Sequence, residues 1–202
     1  MDDALAGLAD AGFDLAHAFD AHAAAREPGW ERLANGPRIG LLIGNTRALW
    51  PRFSAVRRDE PDPLDRYTER SLTLAYPSAT IYFAHRTYDG AFLPFSRLAA
   101  ATGLGALAPS HLVIHPIYGP WIALRALVVR DGEPPLRAPA PIAQPCRCDA
   151  ACATALAAAR DTTDWRAWLA VRDACSLRTH RYGEDQIAFH YPTTWERLPS
   201  SG

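Results

Sequence analysis

The feature that most restricts the fold of this chain is an apolar run with one arginine in its middle, within "IHPIYGPWIALRALVVR". Residues 121–130 have the length and the β-branched content of a strand, and His-Pro and Gly-Pro turns precede them. A buried guanidinium without a partner is costly. Arg125 must therefore find a carboxylate, a carbonyl oxygen or an anionic ligand.

Strand alternation predicts two faces, one with Ile122, Leu124 and Ala126 and the other with Ala123, Arg125 and Leu127. Two interpretations of Arg125 remain open at this point. An internal salt bridge, for example to Asp173, would satisfy its charge. A ligand carboxylate or phosphate would do so equally well, because the planar guanidinium binds such groups through two parallel hydrogen bonds.

Hydrophobic periodicity and turn residues predict further elements along the chain. We expect a helical N-terminal segment interrupted at Gly12, and three strands and three helices before residue 131. The strands are predicted at 38–43, 79–86 and 112–116, and the helices at 49–56, 63–74 and 93–103. Three helices are predicted in the C-terminal part, at 150–160, 164–174 and 183–189.

Helices and strands are interspersed in this prediction but do not alternate strictly, which is typical of the α+β class. We expect one domain over residues 1–202, with a proline-rich loop at 131–145 and a helical C-terminal tail. A chain of 202 residues with 49% hydrophobic side chains is long enough to bury the core of such a domain.

Charge and hydropathy exclude two kinds of partner. The formal net charge is −1, whereas nucleic-acid binding normally requires a strongly basic face. No apolar run reaches the length of a membrane-spanning helix. The N-terminal "MDDALAGLADAG" lacks the basic and apolar regions of a secretory signal, so we expect a cytoplasmic protein whose cysteines are thiols.

Four cysteines form the first candidate site, and they are Cys146, Cys148, Cys152 and Cys175. Zinc and iron–sulfur motifs usually contain C-x2-C, whereas the pattern here is C-x-C-x3-C. We therefore predict no metal site, with a cysteine metal site as the alternative. His115 next to Pro116 is predicted to be a structural hydrogen-bonding residue and not a base.

Two long blocks of the chain carry a resemblance to a known family. The string "HPIYGPWIALRALVV" resembles the His-Pro-x-aromatic-Gly-x-Trp block of the cobalamin-processing CblC family, which ends in an arginine-containing strand. The tail "DWRAWLAVRDACSLRTHRYGEDQIAFHYPTTWER" resembles its C-terminal W-R-x-W and R-Y-x-E-x-Q segments. The segments "RIGLLIGNTRALWPRF" and "DPLDRY" follow the family's order, so the resemblance extends over about residues 12–197.

This resemblance implies a nitroreductase-like fold, with a mixed, largely antiparallel sheet flanked by helices. It also implies that the chain binds cobalamin (vitamin B12) with its lower base displaced from cobalt and removes the upper axial ligand. Cyanide would leave reductively, with electrons from FMN or FAD, and alkyl groups would be transferred to glutathione thiolate. The implied protein partners are a flavin reductase and downstream cobalamin-dependent enzymes.

The resemblance assigns site residues by position in the matching blocks. Three arginines would hold glutathione, and they are Arg125, Arg172 and Arg197. The residues implied to contact cobalamin are His115, Pro116, Tyr118, Gly119, Trp121, Tyr182 and Gln186. The chain departs from the family at Pro120, where the family has a second glycine, and at Val113, where it has a cysteine; both departures bear more on glutathione use than on corrinoid binding.

Two other functions are compatible with the same sequence. One is a flavin-dependent reductase or nitroreductase on the same scaffold, without a corrinoid. The other is a non-catalytic corrinoid carrier or metal-binding module.

Overall fold

A computed structural model of the protein describes residues 3–135 and 150–195. The helices are α1 (Asp3–Asp10), α2 (Ala21–Ala24), α3 (Leu49–Val56), α4 (Pro63–Ala75), α5 (Phe95–Ala101), α6 (Ala150–Arg160), α7 (Trp165–Asp173) and α8 (Glu184–Trp195). The strands are β1 (Leu15–Asp20), β2 (Ile39–Asn45), β3 (Thr80–Phe83), β4 (Thr87–Tyr88), β5 (Ala91–Phe92), β6 (Ala106–Leu107), β7 (Val113–Ile114) and β8 (Ala123–Arg130).

The central sheet contains four strands in the order β1-β2-β8-β3, and each pairing in it is antiparallel. Strands β4 and β5 form one small hairpin, and β6 pairs with β7. This arrangement confirms the α+β class with an antiparallel sheet.

Helices cover both faces of this sheet, as β2 illustrates, because it is buried along its whole length. On one face Leu42 joins a core with Leu127 of β8 and Leu98 of α5. On the other face Ile43 packs in a second core that includes Phe53 of α3 and Leu72 of α4. The strongly apolar composition of β2 follows from this position between two layers.

A β-bulge interrupts the pairing of β2 with β8. Ile43 pairs with Ala126, but Gly44 pairs with Leu124, so Arg125 is the extra residue on β8. A Cβ atom at Gly44 would lie 2.6 Å from the carbonyl oxygen of Ala123, so the bulge requires glycine at this position.

The bulge makes the predicted strand alternation wrong. Leu124 packs in the same core as Leu127, whereas Ala126 lies in the other core. An extra residue shifts the alternation by one position, and bulges commonly redirect a side chain next to a functional site.

The prediction of helix on the C-terminal side of the interruption at Gly12 is wrong, because Leu15–Asp20 forms strand β1. Pairing with β2 supplies the backbone hydrogen bonds of this segment, and Leu15 and Phe19 enter the core at alternate positions. This tertiary pairing overrides the helix propensity of the alanines. Asp20 then caps α2 by accepting hydrogen bonds from the backbone N–H groups of His22 and Ala23.

Other elements agree more closely with the prediction. Helices α3 and α6 have the predicted bounds. Strand β2 continues two residues beyond the predicted bound, through Gly44 and Asn45, and α8 extends beyond residue 189 to Trp195. Strands β4, β5 and β6 were not predicted. Of the predicted proline-rich loop, residues 136–145 lie outside the described residues.

Within residues 3–135 and 150–195, no helix has both the length and the hydropathy needed to cross a membrane.

Candidate functional site

A cavity of about 300 Å³ lies between β8 and the C-terminal helices. Strand β8, helices α7 and α8, the loop before α8 and the loop before β7 contribute its lining, which consists of Leu112, Ala123, Arg125, Trp168, Arg172, Tyr182, His190 and Tyr191. The cavity thus combines aromatic and apolar walls with two guanidinium groups.

Arg125 reaches this cavity from the bulge of β8. Its Nε donates a 2.7 Å hydrogen bond to Oδ1 of Asn45, the last residue of β2. Its Nη2 is buried and has no hydrogen-bond partner among the described residues. Buried polar atoms are nearly always hydrogen-bonded, so this nitrogen identifies a position for a water molecule or a ligand atom.

Arg172 reaches the cavity from the last turn of α7. This helix begins at Asp164, whose side chain accepts a hydrogen bond from the backbone N–H of Arg166. The guanidinium carbon of Arg172 lies 5.7 Å from the ring centre of Trp121 and 5.9 Å from that of Tyr191. A cation over aromatic faces at these distances is held by cation–π attraction.

Asp173, considered above as a salt-bridge partner for Arg125, pairs with a different arginine. Nε of Arg181 lies 2.7 Å from Oδ1 of Asp173, and the same guanidinium contacts Glu184. In the part of the chain that the structure describes, no carboxylate side chain lines the cavity that contains Arg125 and Arg172. Of the two interpretations of Arg125, this geometry favours the anionic ligand.

Burial changes the acid–base properties of the lining. It lowers the pKa of Arg125 and raises the pKa of Tyr182 and Tyr191, which therefore remain neutral hydroxyls. Burial, with the adjacent charges of Arg125 and Arg172, lowers the pKa of His190 to about 3. The cavity therefore combines two guanidinium groups with neutral side chains, which suits an anion.

A second cavity of about 270 Å³ shares Leu112, Ala123 and Arg172 with the first. Its other walls are mainly apolar and include Phe95 of α5 and Pro120. Arg172 thus contributes to the walls of both cavities.

The structure brings Arg125, Arg172 and Tyr182 together among the residues that the resemblance assigned. Trp121 is fully buried and is not among the lining residues, and its ring centre lies 5.4 Å from that of Tyr182. Gln186 is 1% exposed, and its amide nitrogen and oxygen have no partner among the described residues. Arg197 lies outside the described residues.

His115, Pro116, Tyr118 and Gly119 form a tight turn and are not among the residues that line either of these cavities. Nδ1 of His115 accepts hydrogen bonds from the backbone N–H groups of Ile117 and Tyr118 at 3.2 and 3.3 Å. These hydrogen bonds tie the imidazole to the backbone of its own turn, and the structural role of His115 stays a prediction.

Gly119 has a φ of 59°, and a Cβ atom there would meet the carbonyl oxygen of Leu177. Its conformation and this contact explain the glycine without a ligand. Pro116 of the same turn is exposed.

The cysteines do not assemble in the described part of the chain. Cys146 and Cys148 lie outside it, Cys175 is buried, and Cys152 of α6 lines a separate cavity of about 240 Å³. Residues 3–135 and 150–195 contain no group of three histidine, cysteine, aspartate or glutamate side chains placed to hold a metal ion.

Sequence reasoning missed the polar lining residues His190 and Tyr191, and it missed Asn45, which does not line the cavity but accepts a hydrogen bond from Arg125. His190 follows Gln186 by four residues on α8, so helical periodicity from Gln186 would have indicated it. Asn45 gave no comparable signal, because its contact with Arg125 joins residues 80 positions apart.

Comparison with known proteins gives a relative among the solved structures. No family model and no curated protein matches the chain. The crystal structure of a C. elegans B12-trafficking protein, CblC, described as a homologue of human MMACHC, matches with a TM-score of 0.63. The match has 18% sequence identity and covers 95% of this chain and 91% of that one.

The sheet and its flanking helices thus define an α+β protein with a nitroreductase-like fold, as the resemblance implied. Within that class, the chain has a CblC-like fold. At 18% identity the likeness establishes the fold alone.

Proposed function

We propose that this chain binds cobalamin and removes its upper axial ligand. The observation that carries the proposal is the cavity in which Arg125 and Arg172 face neutral groups and no carboxylate of the described residues. The CblC-like fold supports it, because the structural relative is a B12-trafficking protein. The two sequence blocks quoted above supply Arg125, Arg172 and Tyr182, all of which line the cavity.

The size of the cavity suggests which molecule occupies it. Small-molecule sites range over about 300–1,000 Å³, so a cavity of about 300 Å³ suits a molecule the size of a tripeptide. We propose that glutathione lies there, with carboxylates on Arg125 and Arg172. The much larger corrin ring would cover the opening of the cavity, and Arg197 is proposed as the third glutathione-binding arginine.

Dealkylation then follows from positioning. The glutathione thiolate attacks the alkyl carbon bound to cobalt, a sulfur–carbon bond forms, and the electron pair of the cobalt–carbon bond stays on cobalt. Cobalt is reduced from the +3 to the +1 state, and the thioether is the second product. Holding the thiolate and the alkyl group in line supplies much of the acceleration in such a transfer.

Reductive decyanation is the second proposed activity. An electron from a reduced flavin, either bound or delivered by a partner reductase, reduces the cobalt, and cyanide leaves with its bonding pair. Further proposed partners are the enzymes that receive the processed cobalamin.

An absorbance titration tests the proposal. Adding the protein to methylcobalamin should shift the visible spectrum from the base-on to the base-off form, because the bound corrinoid loses its lower base. A spectrum that stays unchanged at several-fold excess of protein would contradict cobalamin binding.

The same preparation distinguishes the two alternatives. Yellow protein that oxidises NAD(P)H with nitroaromatics and leaves methylcobalamin unchanged would indicate a flavin-dependent reductase. A base-off shift without decyanation or dealkylation would indicate a non-catalytic carrier.

A further inference from the structure

The hydrogen bond between Asn45 and Arg125 has a consequence for ligand binding. We propose that Asn45 is a positioning residue that orients the guanidinium of Arg125 and, being neutral, leaves its charge available to an anionic ligand. This inference rests on the proposed function only in that the cavity binds an anion.

Asn45 is fully buried at the end of β2 and holds Arg125 through a single contact. Its Oδ1 accepts from Nε of Arg125 at 2.7 Å, while Nη2 of that arginine has no partner among the described residues. The hydrogen bond to Asn45 thus uses Nε, the guanidinium nitrogen that is bonded to the side-chain stem. A terminal nitrogen remains for a carboxylate or phosphate oxygen.

A carboxylate at position 45 would have a different effect. It would place a negative charge beside the guanidinium and offset the positive charge of Arg125. An amide offers one acceptor of nearly the same shape without a charge. Asparagine therefore fixes the direction of the guanidinium and keeps the cavity positive.

The orientation of Asn45 is itself fixed by its neighbours. Its Nδ2 donates a 2.8 Å hydrogen bond to the carbonyl oxygen of Thr46, so Oδ1 is the atom that faces Arg125. Thr46 in turn donates its backbone N–H and its hydroxyl to the two carboxylate oxygens of Asp14, at 2.7 and 2.5 Å. The carboxylate of Asp14 therefore accepts hydrogen bonds from Thr46.

Two substitutions separate orientation from charge. Asn45→Asp keeps the size and the acceptor but adds a negative charge, and Asn45→Ala removes the acceptor without adding charge. The probes are glutathione and, separately, inorganic phosphate, each titrated calorimetrically into the whole protein at low ionic strength.

We expect Asn45→Asp to weaken binding of each probe that the wild type binds by at least about tenfold, because an opposite charge within contact distance cancels the attraction. Thermal stability is measured alongside as the control for folding, because the aspartate keeps the acceptor for Arg125 but loses the hydrogen bond that Nδ2 donates to the carbonyl oxygen of Thr46. Asn45→Ala should weaken binding by about three- to tenfold, because the guanidinium keeps its charge but loses its direction. If Asn45→Asp does not fold, the alanine variant carries the test.

The proposal would be overturned if Asn45→Asp bound the probes with an affinity within twofold of that of the wild type. It would also be overturned if Asn45→Ala bound them with wild-type affinity. Failure of the wild type to bind either probe would overturn it as well. The methylcobalamin titration of the same variants separates this inference from the proposed function. A normal base-off shift with unchanged anion affinity in Asn45→Asp refutes the role of Asn45 alone, whereas loss of the base-off shift in the wild type refutes cobalamin binding.

Discussion

Replacing Arg125 by alanine should separate glutathione use from cobalamin binding. The guanidinium is held by Asn45 through one hydrogen bond, and its Nη2 has no partner among the described residues. A hydrogen bond to a charged group contributes about 1.5–3 kcal/mol. If a glutathione carboxylate supplies that missing partner, its loss lowers glutathione-dependent dealkylation about ten- to hundredfold.

Protein stability should change much less in this variant. The substitution leaves Oδ1 of Asn45 without its donor, which costs about 1–3 kcal/mol. It also removes a buried charge that is not paired with a carboxylate of the described residues. The free-energy cost of burying that charge disappears with it, which offsets much of the loss. We expect a net loss of about 1 kcal/mol or less in the free energy of unfolding.

The assay is the anaerobic loss of the methylcobalamin spectrum in the presence of glutathione, beside a separate base-off titration. Arg181→Ala is the matched control, because Arg181 lies 5.6 Å from the same Trp121 ring but is paired with Asp173 and Glu184. It should leave the dealkylation rate unchanged once cobalamin is bound. Equal losses of cobalamin affinity and dealkylation in Arg125→Ala, or a large loss of stability, would mean that Arg125 is only a structural residue.

Three further predictions follow from the same site. Gly44→Ala should destabilise the protein by about 2 kcal/mol or more and weaken glutathione binding, because the new Cβ atom would lie 2.6 Å from the Ala123 carbonyl oxygen beside the bulge. An unchanged free energy of unfolding in urea would contradict this. Tyr182→Phe should weaken ligand binding but leave thermal stability unchanged, because the buried hydroxyl has no partner among the described residues. A marked fall in melting temperature would show that this hydroxyl makes a structural hydrogen bond. The pKa of His190, lowered to about 3 in the folded protein, lies below its unfolded value of 6.5, so stability is lost as pH falls from about 6.5 towards 3, by at most about 1.4 kcal/mol per pH unit. His190→Leu should flatten this slope in urea unfolding, and an equally steep slope in the variant would place the lowered pKa elsewhere, for example at His17 or His115.

The sequence predicted the elements whose signals are local. Helix α3 and helix α6 have the predicted bounds, and the apolar run with its arginine is indeed a strand. These segments carry their own periodicity and turn residues, so their neighbours in the fold do not change the prediction.

Other features depend on contacts between distant residues. Leu15–Asp20 becomes a strand because β2 pairs with it. The bulge that redirects Arg125 depends on the register between β2 and β8, to which a single strand gives no clue. The contact between Asn45 and Arg125 was missed for the same reason.

The resemblance named some of the residues that line the cavity and missed others. The resemblance gave Arg125, Arg172 and Tyr182, which line one cavity. It also gave His115, whose Nδ1 instead accepts from the backbone of its own turn. A motif identifies residues that lie near one another, but only the packing distinguishes those that line a cavity from those that support its wall.

A crystal structure of the protein with methylcobalamin and S-methylglutathione would test the central claim most directly, since that thioether is the product of demethylation. We predict that a carboxylate of the thioether lies within hydrogen-bond distance of Nη2 of Arg125, close to the guanidinium of Arg172. A cavity filled by protein side chains, with Arg125 paired to a carboxylate of its own chain, would contradict the account.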